Sequence, residues 1–405
     1  FGALGNHSNS EHLEKNTLSL DYDWISTDKT KFVIGGGLSH DHWKAITMIN
    51  PKDVNGFEEA FIGGPMLGSY RGDLHADMTY ALAASNHFTV GVSYANTGIS
   101  HVANVMSHDP LTLDYKGGLV EFAENESFNV RATRNILGIY LQNQQQIGED
   151  LSVTAGLRMD HYSDFGGSLN PRLAIVYATP FKSSFKVLYG SAFRAPNFLE
   201  LYDRYNPVDY GNADLEPELI STCEFAYIQH FQKFQGTVTL FVNATENVIQ
   251  LGEVVVADDN PLGARGFENA AGFTAQGLEL DFKWVPSSKF YINGTYTYLH
   301  DDNRAVIYNN SGSLMLNYTA NGFNFNVNGI FRNKVDQLPD QAAVVVLNST
   351  LKYTSPSNIT WFGTVSNLLN LAYKTSSTLL PTGIPNRGRS FMFGLRLGLN
   401  IQEKN

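Results

Sequence analysis

Three short runs of the sequence combine residue types that could bind a metal ion. His40-Asp41-His42 places two imidazoles at positions i and i+2, which share one face of a strand. Asp258-Asp259-Asn260 and Asp301-Asp302-Asn303 supply oxygen ligands, but they lack the glycine and the bidentate glutamate of a dedicated calcium loop. A polar rim beside Trp43 and two solvated turns are the favoured interpretations, so neither a metal nor a cofactor is predicted.

The motifs of common catalytic sites are missing from the sequence. It contains no Gly-x-Ser-x-Gly elbow, no His-Glu-x-x-His and no Walker loop, and Gly35-Gly36-Gly37 lacks the strand-to-helix context of a phosphate-binding turn. Cys223 is the only cysteine, which excludes an intramolecular disulfide framework and a Cys-based zinc site. The chain is therefore not predicted to be an enzyme; a barrel enzyme with Ser, His and an acid near one rim is a remaining alternative.

The segment GSAFRAPNFLELYDRYNPVDYGNADLEPE, residues 190–218, is the most suggestive of a binding function. Alternation at Phe185, Val187 and Tyr189 passes into a Pro-, Asn- and Tyr-rich excursion and then resumes. Pro196 ends ladder pairing because it has no N–H donor. The segment is predicted to be a long loop on a β scaffold, and long loops in compact folds are usually functional.

The composition favours an all-β protein. Aromatic residues make up 12% of the chain, charged residues only 17%, and there are 36 glycines, a mixture rich in strand and turn formers. The net charge of −11, with no basic cluster, argues against nucleic acid as a partner. No apolar run approaches the roughly 18 residues of a transmembrane helix.

Several segments alternate strictly between apolar and polar residues, as half-buried or membrane-facing strands do. The pattern is clearest in residues 151–162 and recurs in 278–284, 323–331 and 391–401. In a membrane barrel the apolar set would face lipid, with Phe325 near mid-membrane: Phe323, Phe325, Phe393, Leu395, Leu397, Leu280 and Phe282. The polar set would face the lumen: Arg158, Asp160, Glu279, Asp281, Asn324, Asn326 and Arg396.

Connection lengths distinguish a membrane barrel from a soluble sandwich, which would give the same alternation. Short connections are predicted near 26–29, 85–86, 148–150, 179–182, 232–235, 285–288, 320–322 and 355–357. They alternate with usually longer ones at 43–68, 98–129, 163–168, 195–217, 249–265, 301–304, 335–341 and 371–386. This segregation is typical of outer-membrane barrels with short periplasmic turns and long extracellular loops, and aromatic residues near strand ends fit interfacial girdles. The prediction is a transmembrane antiparallel β-barrel.

The predicted strand number is odd, whereas bacterial single-chain barrels have even numbers, so the barrel is expected to be incomplete, with about 17 strands. Residues 1–16 are interpreted as the tail of an extracellular loop, 17–401 as the partial barrel and 402–405 as a C-terminal tail.

Five groups of segments resemble the TonB-dependent outer-membrane receptors, which take up siderophore-iron, cobalamin, haem and related ligands. They are ILGIYLQNQQQIGEDLSVTAGLRMDHYSDFGGSLNPRLAIVY (136–177), LYGSAFRAPNFLELY (188–202), GNADLEPE (211–218), ENAAGFTAQGLELDF (268–282), and the closing SNLLNLAYKTS and GIPNRGRSFMFGLRLGL. The resemblance covers roughly residues 130–400 of the sequence. It implies a barrel in the Gram-negative outer membrane, 22-stranded and closed by an N-terminal plug, with TonB, the membrane lipid and a metal-chelate ligand as partners.

The resemblance also assigns residues to the motif and to the ligand. The motif residues are expected to anchor loops: Phe193, Arg194, Ala195, Pro196, Asn197, Glu200, Gly211, Asn212, Leu215, Pro217, Glu218, Gly388 and Arg389. Aromatic and arginine side chains further out suit bulky anionic chelates, which makes these residues the ligand candidates: Tyr202, Arg204, Tyr205, Tyr210, Arg265 and Arg387.

The sequence departs from the family pattern in two places and leaves the ligand open. A plug and a TonB box are absent, so TonB would act through a plug that this chain lacks, and the last residues lack the terminal aromatic typical of such barrels. Haem receptors of this family often carry a histidine between a Phe-Arg-Ala-Pro box, here residues 193–196, and a second box. Here the second box reads Asn212-Ala213-Asp214-Leu215 and no histidine lies between the two, which disfavours haem. A ferric siderophore is expected first and cobalamin second, with a passive porin or adhesin barrel as the alternative class.

Overall fold

Strands dominate the computed structural model of the chain, which describes residues 10–53, 57–110, 112–204, 206, 209–257, 260–301, 307–377 and 382–398. The first eleven strands are β1 (Ser10–Thr27), β2 (Thr30–Asn50), β3 (Phe61–Ala83), β4 (Asn86–His108), β5 (Tyr115–Phe122), β6 (Thr133–Ile147), β7 (Leu151–Tyr162), β8 (Gly166–Ala178), β9 (Ser183–Arg194), β10 (Asp209–Tyr210) and β11 (Glu218–His230). The remainder are β12 (Phe234–Glu246), β13 (Val248–Ala257), β14 (Asn260–Ala270), β15 (Phe273–Ser287), β16 (Phe290–Asp301), β17 (Asn310–Ala320), β18 (Phe323–Arg332), β19 (Val344–Thr354), β20 (Ile359–Ser366), β21 (Lys374–Thr375), β22 (Ile384–Pro385) and β23 (Ser390–Leu397).

Helical structure within these ranges is limited to one α-helix and one 3₁₀ turn. The helix α1 spans Phe198–Tyr202 and the 3₁₀ turn spans Glu124–Glu126. Among the described residues, no helix is long and apolar enough to cross a membrane.

Eighteen of the described strands form one antiparallel sheet that follows the chain as a meander, while β10, β13 and β14 form a second sheet and β21 and β22 a third. Each long strand pairs with the next, from β1 through β4, β6 through β9, β11, β12, β15 through β20 and finally β23, while β5 adds to the outer part of β4. Within the described ranges no ladder joins β1 to β23. The predicted all-β antiparallel barrel wall is confirmed.

The alternation of short and long connections is present with one exception. Residues 163–165 join β7 to β8 in a three-residue turn, although a longer loop was predicted there. The predicted loops at 43–68 and 98–129 are also too wide, because β2 runs to Asn50, β3 begins at Phe61 and β4 continues to His108. Strand β1 begins at Ser10, so residues 10–16 are strand rather than loop tail; residues 1–9 and 399–405 lie outside the described ranges.

These long strands extend beyond the membrane because a small core stabilises their outer ends. A transmembrane strand needs only about 9–11 residues, whereas β3 and β4 have 23 residues each. At their outer ends Phe61, Met106, Phe122 and Phe128 form a buried cluster. Alternation does not reveal this region, since residues 102–108 of β4 are buried on both faces.

Strand register places the predicted apolar and polar sets on opposite faces of the sheet. Leu395 pairs with Trp361, Trp361 with Tyr353, and Tyr353 with Phe323, which joins four outward side chains across four strands. Asn326 pairs with Asn317 and Thr350 on the other face. The first face is apolar and the second polar, as lipid and lumen require.

Aromatic side chains mark the periplasmic end of the apolar face. Trp24 stacks on Phe32 beside the short turn that joins β1 to β2. Phe323, Tyr353 and Trp361 form a continuous row beside the short turns that join β17 to β18 and β19 to β20. Phe325 therefore lies only two residues above this girdle, so its predicted position near mid-membrane is wrong.

Candidate functional site

Arg194, the last residue of β9, joins both ends of the loop 195–217. Its Nε and one terminal nitrogen donate to the two carboxylate oxygens of Glu218, at 2.6 and 2.9 Å. The other terminal nitrogen donates to both oxygens of Glu200, at 2.9 and 3.0 Å. These hydrogen bonds lower the pKa of Glu218 and raise that of Arg194. One guanidinium thus holds the start, the helix and the end of the loop.

The short helix α1 is held by a capping box. The Asn197 side chain accepts from the Glu200 N–H at 2.9 Å, and the Glu200 carboxylate accepts from the Asn197 N–H at 2.8 Å. Glu200 therefore serves the cap and Arg194 together, and it is 9% exposed. These contacts explain why a helix of five residues is stable here.

Arg134 on β6 fixes the Phe-Arg-Ala-Pro box from below. It pairs with Asp164 at 2.6 Å and donates to the Pro196 carbonyl at 2.8 Å. The guanidinium also lies over the rings of Tyr162, Phe165 and Phe198 at 5.6, 4.9 and 4.8 Å. Both charged side chains are more than nine-tenths buried, so this pair is the deepest anchor of the loop. Sequence reasoning missed Arg134.

Asp203 is buried at the centre of the loop, 1% exposed. Its carboxyl oxygens accept from the Asn129 amide at 3.0 Å and from the Asn206 amide at 2.8 Å, and the same Asn206 amide donates to Asp209. Burial, followed by the neighbouring Asp209 carboxyl, raises the pKa of Asp203 to about 10. Because Asn129 belongs to the 109–132 connection, Asp203 ties two extracellular loops together.

The second motif box packs the returning chain against the next loop. The Asn212 side chain donates to the Phe267 carbonyl at 3.0 Å, and the Glu216 N–H donates to Asn269 at 2.8 Å. Leu215 is 2% exposed. A Cβ on Gly211 would lie 2.4 Å from the Asp203 backbone nitrogen, so only glycine fits this approach.

Strands β13 and β14 pair antiparallel, although residues 249–265 were predicted as a loop. The two-residue strand β10 pairs parallel to β14, which sets Asp209 beside Arg265 and Tyr210 beside Gly266. Arg265 is exposed, and its guanidinium donates to the carbonyls of Leu251 and Gly252, the latter at 2.9 Å. The structure therefore brings the ligand candidates Tyr210 and Arg265 together on adjacent strands.

The remaining ligand candidates are distributed over the outer end. Tyr202 stacks on Phe198 at 6.3 Å, and burial raises its pKa. Arg204 is exposed next to buried Asp203, while Tyr205 lies outside the described residues. Arg387 is exposed on the separate connection 367–389.

That connection and residues 333–343 enclose a cleft of about 640 Å³. It is lined by side chains that include Leu338, Gln341, Tyr373 and Lys374. Gly388 and Arg389, also in the motif set, lie beside it against Asn370, whose side chain accepts from the Arg389 N–H at 2.8 Å.

Metal ligation is not favoured by the described side chains. Among them no group of three His, Cys, Asp or Glu residues could hold a metal ion. Asp258, Asp259 and Asp302 lie outside the described ranges. His40 and His42 lie on the outward face of β2, where His42 stacks on His101 at 6.3 Å.

A transmembrane antiparallel wall with anchored extracellular loops defines an outer-membrane barrel receptor. The family model "TonB dependent receptor-like, beta-barrel" matches residues 2–368. The chain belongs to the TonB-dependent receptor family, and its location is the outer membrane.

Known relatives resemble this chain in sequence over part of its length. The vitamin B12 transporter BtuB of Vibrio cholerae is 29% identical over 142 residues, 33% of this chain and 23% of that protein. The protein of the same name from Vibrio vulnificus is 28% identical over 117 residues, covering 29% and 18%.

Solved structures share the fold at low identity. The siderophore receptor PirA from Acinetobacter baumannii matches with a TM-score of 0.72 at 15% identity, over 96% of this chain and 63% of that one. The copper transporter OprC matches with a TM-score of 0.72 at 13% identity, over 95% and 65%. The chain thus spans less than two thirds of the length of each of these proteins.

Proposed function

We propose that this barrel belongs to a receptor that imports a bulky nutrient chelate, a ferric siderophore, with TonB supplying the work through a plug domain. Such chelates exceed what a passive pore admits at useful rates, so the receptor must capture them tightly. Tight capture then needs energy for release, and the outer membrane has no nucleotide pool of its own.

The observation that carries this proposal is the anchoring of the loop 195–217 through its described residues. Arg194 and Arg134 hold it from two sides, and Asp203 ties it to the 109–132 connection. Binding to a preorganised surface loses less conformational entropy than binding to a mobile one. Tyr202 and the adjacent pair Tyr210 and Arg265 supply the aromatic and guanidinium groups that suit an anionic chelate.

Cobalamin is the second candidate ligand, because the BtuB proteins of two Vibrio species are sequence relatives. The siderophore hypothesis is supported by solved structures such as that of the siderophore receptor PirA, which share the fold at low sequence identity. The two ligands can be separated by one uptake panel.

The test is uptake of ⁵⁵Fe-siderophores and ⁵⁷Co-cobalamin by cells that express the full-length receptor, with and without TonB. Deletion of residues 203–210, with Phe193 to Pro196 kept, should abolish uptake of the true ligand. Tyr210→Ala should reduce it, whereas Tyr318→Ala on the lipid face is the matched control and should not. Uptake at the wild-type rate after the deletion and without TonB would contradict both the loop assignment and the active mechanism.

A further inference from the structure

A second feature lies on the lipid face of strands β1–β4, away from the loops. It is an apolar groove of about 710 Å³ whose walls are Leu18, Leu20, Ile34, Leu38, Leu74 and Tyr94. Its floor is formed where Gly36 and Gly72 present no side chain: a Cβ on Gly36 would lie 2.7 Å from the Leu74 side chain. Gly36 and Gly72 therefore make a recess in the lipid face of the wall.

The groove lies on the lipid face, below the outer boundary of the membrane. On β2 the outward side chains run Phe32, Ile34, Gly36, Leu38 and then His40. The eight residues from girdle residue Phe32 to His40 span about 20 Å along the membrane normal, at about 3.3 Å per residue and a tilt of about 40°. An outer-membrane barrel has an apolar band about 25 Å tall. His40 therefore lies just below the upper edge of this band, and His42, two residues further out, reaches the headgroup level.

Neighbouring strands change from apolar to polar within two residues of one another in register. Leu18 pairs with Leu38, and two residues further out Asn16 pairs with His40, which pairs with Tyr70. On β4 and β6 the Tyr94 hydroxyl and the Asn96 amide both donate to Asn135, each at 2.8 Å. The change across five strands identifies a lipid headgroup interface rather than a local irregularity.

Hydrogen-bond donors and a cation concentrate directly above the groove, on the same face. We call His12, His40, His42, His101 and Lys44 the histidine cluster. Lys44 stands opposite His12 in the β1–β2 register. His42 and His101 stack across Gly68, with ring centroids 6.3 Å apart. Glu14, the register partner of His42, is the one acid of this face at the same level among the described residues, and it accepts from Asn16.

We propose that the groove and the histidine cluster form one binding site for a phosphorylated glycolipid of the outer leaflet. Its acyl chains would fill the groove, which extends over four strands, about 14 Å at the usual strand spacing. Its phosphate would accept hydrogen bonds from the imidazoles and from Lys44, whose long side chain can reach down to the interface. The site is independent of the loops that carry the proposed uptake.

The test is native mass spectrometry of the full-length receptor in detergent, titrated with bis-phosphorylated lipid A or with its dephosphorylated form. Wild type should retain one lipid A, with at least tenfold weaker binding of the dephosphorylated lipid. The variant H40Q/H42Q/K44Q should bind both lipids equally weakly. The matched control is H161Q/H300Q, which removes two imidazoles from the same outward face far from the groove and should behave as wild type.

A second variant tests the groove itself. Gly72→Ala adds a Cβ 3.2 Å from the Leu38 side chain, which can adjust, so the barrel should fold while the groove becomes shallower. Lipid A should then bind more weakly, and the preference for the phosphorylated form should persist. Unchanged lipid A binding in the triple variant, or equal binding of phosphatidylglycerol by wild type, would overturn the proposal.

Discussion

Arg194 and Glu218 stand opposite each other at the first rung of the β9–β11 ladder and close it with a bidentate ion pair. The loop 195–217 leaves from one of these residues and returns to the other. The Glu218 carboxylate also accepts from the Ile249 N–H at 2.7 Å, so the same pair positions the β13–β14 hairpin. Two loops that carry ligand candidates therefore share one electrostatic anchor.

Removal of this anchor should weaken ligand binding without unfolding the barrel. In Arg194→Ala the carboxylates of Glu200 and Glu218 lose their shared partner, and the affinity for the ligand should fall about tenfold, or about 1.4 kcal/mol. Arg194→Lys should give an intermediate affinity because it keeps the charge and loses the bidentate geometry.

A double-mutant cycle with Glu218→Gln measures the pair directly. Since the Arg194 side chain is 42% exposed, solvent screening should limit the coupling energy to about 1 kcal/mol. Additive effects of the two substitutions would contradict the assignment of the pair as an anchor.

The buried pair of Arg134 and Asp164 should matter more for loop order than any surface pair. Arg134→Met leaves Asp164 buried without its partner and should destabilise the docked loop by about 3 kcal/mol. The measurement is hydrogen exchange at the amides of Leu201 and Asp203, which are protected by bonds to Asn197 and Leu199.

The matched control for this variant is Arg131→Met. Arg131 and Glu124 form an ion pair within the 109–132 connection, and both side chains are well exposed. Loss of this pair should therefore destabilise the loop by less than about 0.5 kcal/mol. Equal exchange rates in the two variants would refute the anchoring role of Arg134.

Docking of the loop should depend on pH through Asp203. Its pKa is raised in the folded state to about 10, against about 3.9 in an unfolded chain. The folded state therefore binds the extra proton, so the stabilisation is complete below about pH 4 and is lost as the pH rises toward 10.

Hydrogen exchange at the Gly211 and Asn212 amides, corrected for intrinsic rates, should report this loss. Asp203→Asn should flatten the pH profile because the amide mimics the protonated acid. Asp214→Asn, at an exposed acid of the same loop, is the control and should retain the slope. A D203N profile with the wild-type slope would rule out Asp203 as the titrating group.

Arginine substitutions on β18 should separate the effect of membrane depth from the effect of the face that a side chain occupies. Val327 lies outward, two residues beyond Phe325 and close to mid-membrane, so Val327→Arg should destabilise the barrel by about 2–4 kcal/mol. Phe325→Arg, nearer the girdle, should cost about 1 kcal/mol. Asn328→Arg on the lumen face should cost less than either in a bilayer folding assay, and equal costs for Val327 and Asn328 would invalidate the facing.

The sequence alone determined the class of fold and the facing of its strands. A period of two in segments such as 323–331 leaves one face apolar, and in an antiparallel meander that alternation specifies register and side together. The motif from Phe193 to Glu218 likewise marked the loop, because Pro196 and the residues after it cannot continue the ladder.

Only the tertiary structure decided what lies beyond the membrane and how the loops are held. Strands β2 to β4 continue outward because Phe61, Met106, Phe122 and Phe128 form a buried cluster at their outer ends. Residues 102–108 of β4 are buried on both faces there, which leaves no alternation to read. Arg134 looked like one polar residue in an alternating strand, and Asp203 like one acid in a polar loop. Their roles depend on contacts with Pro196 and Asn129, which are 62 and 74 residues away in the chain. Sequence spacing carries no information on such contacts, because they form only when separate loops pack together.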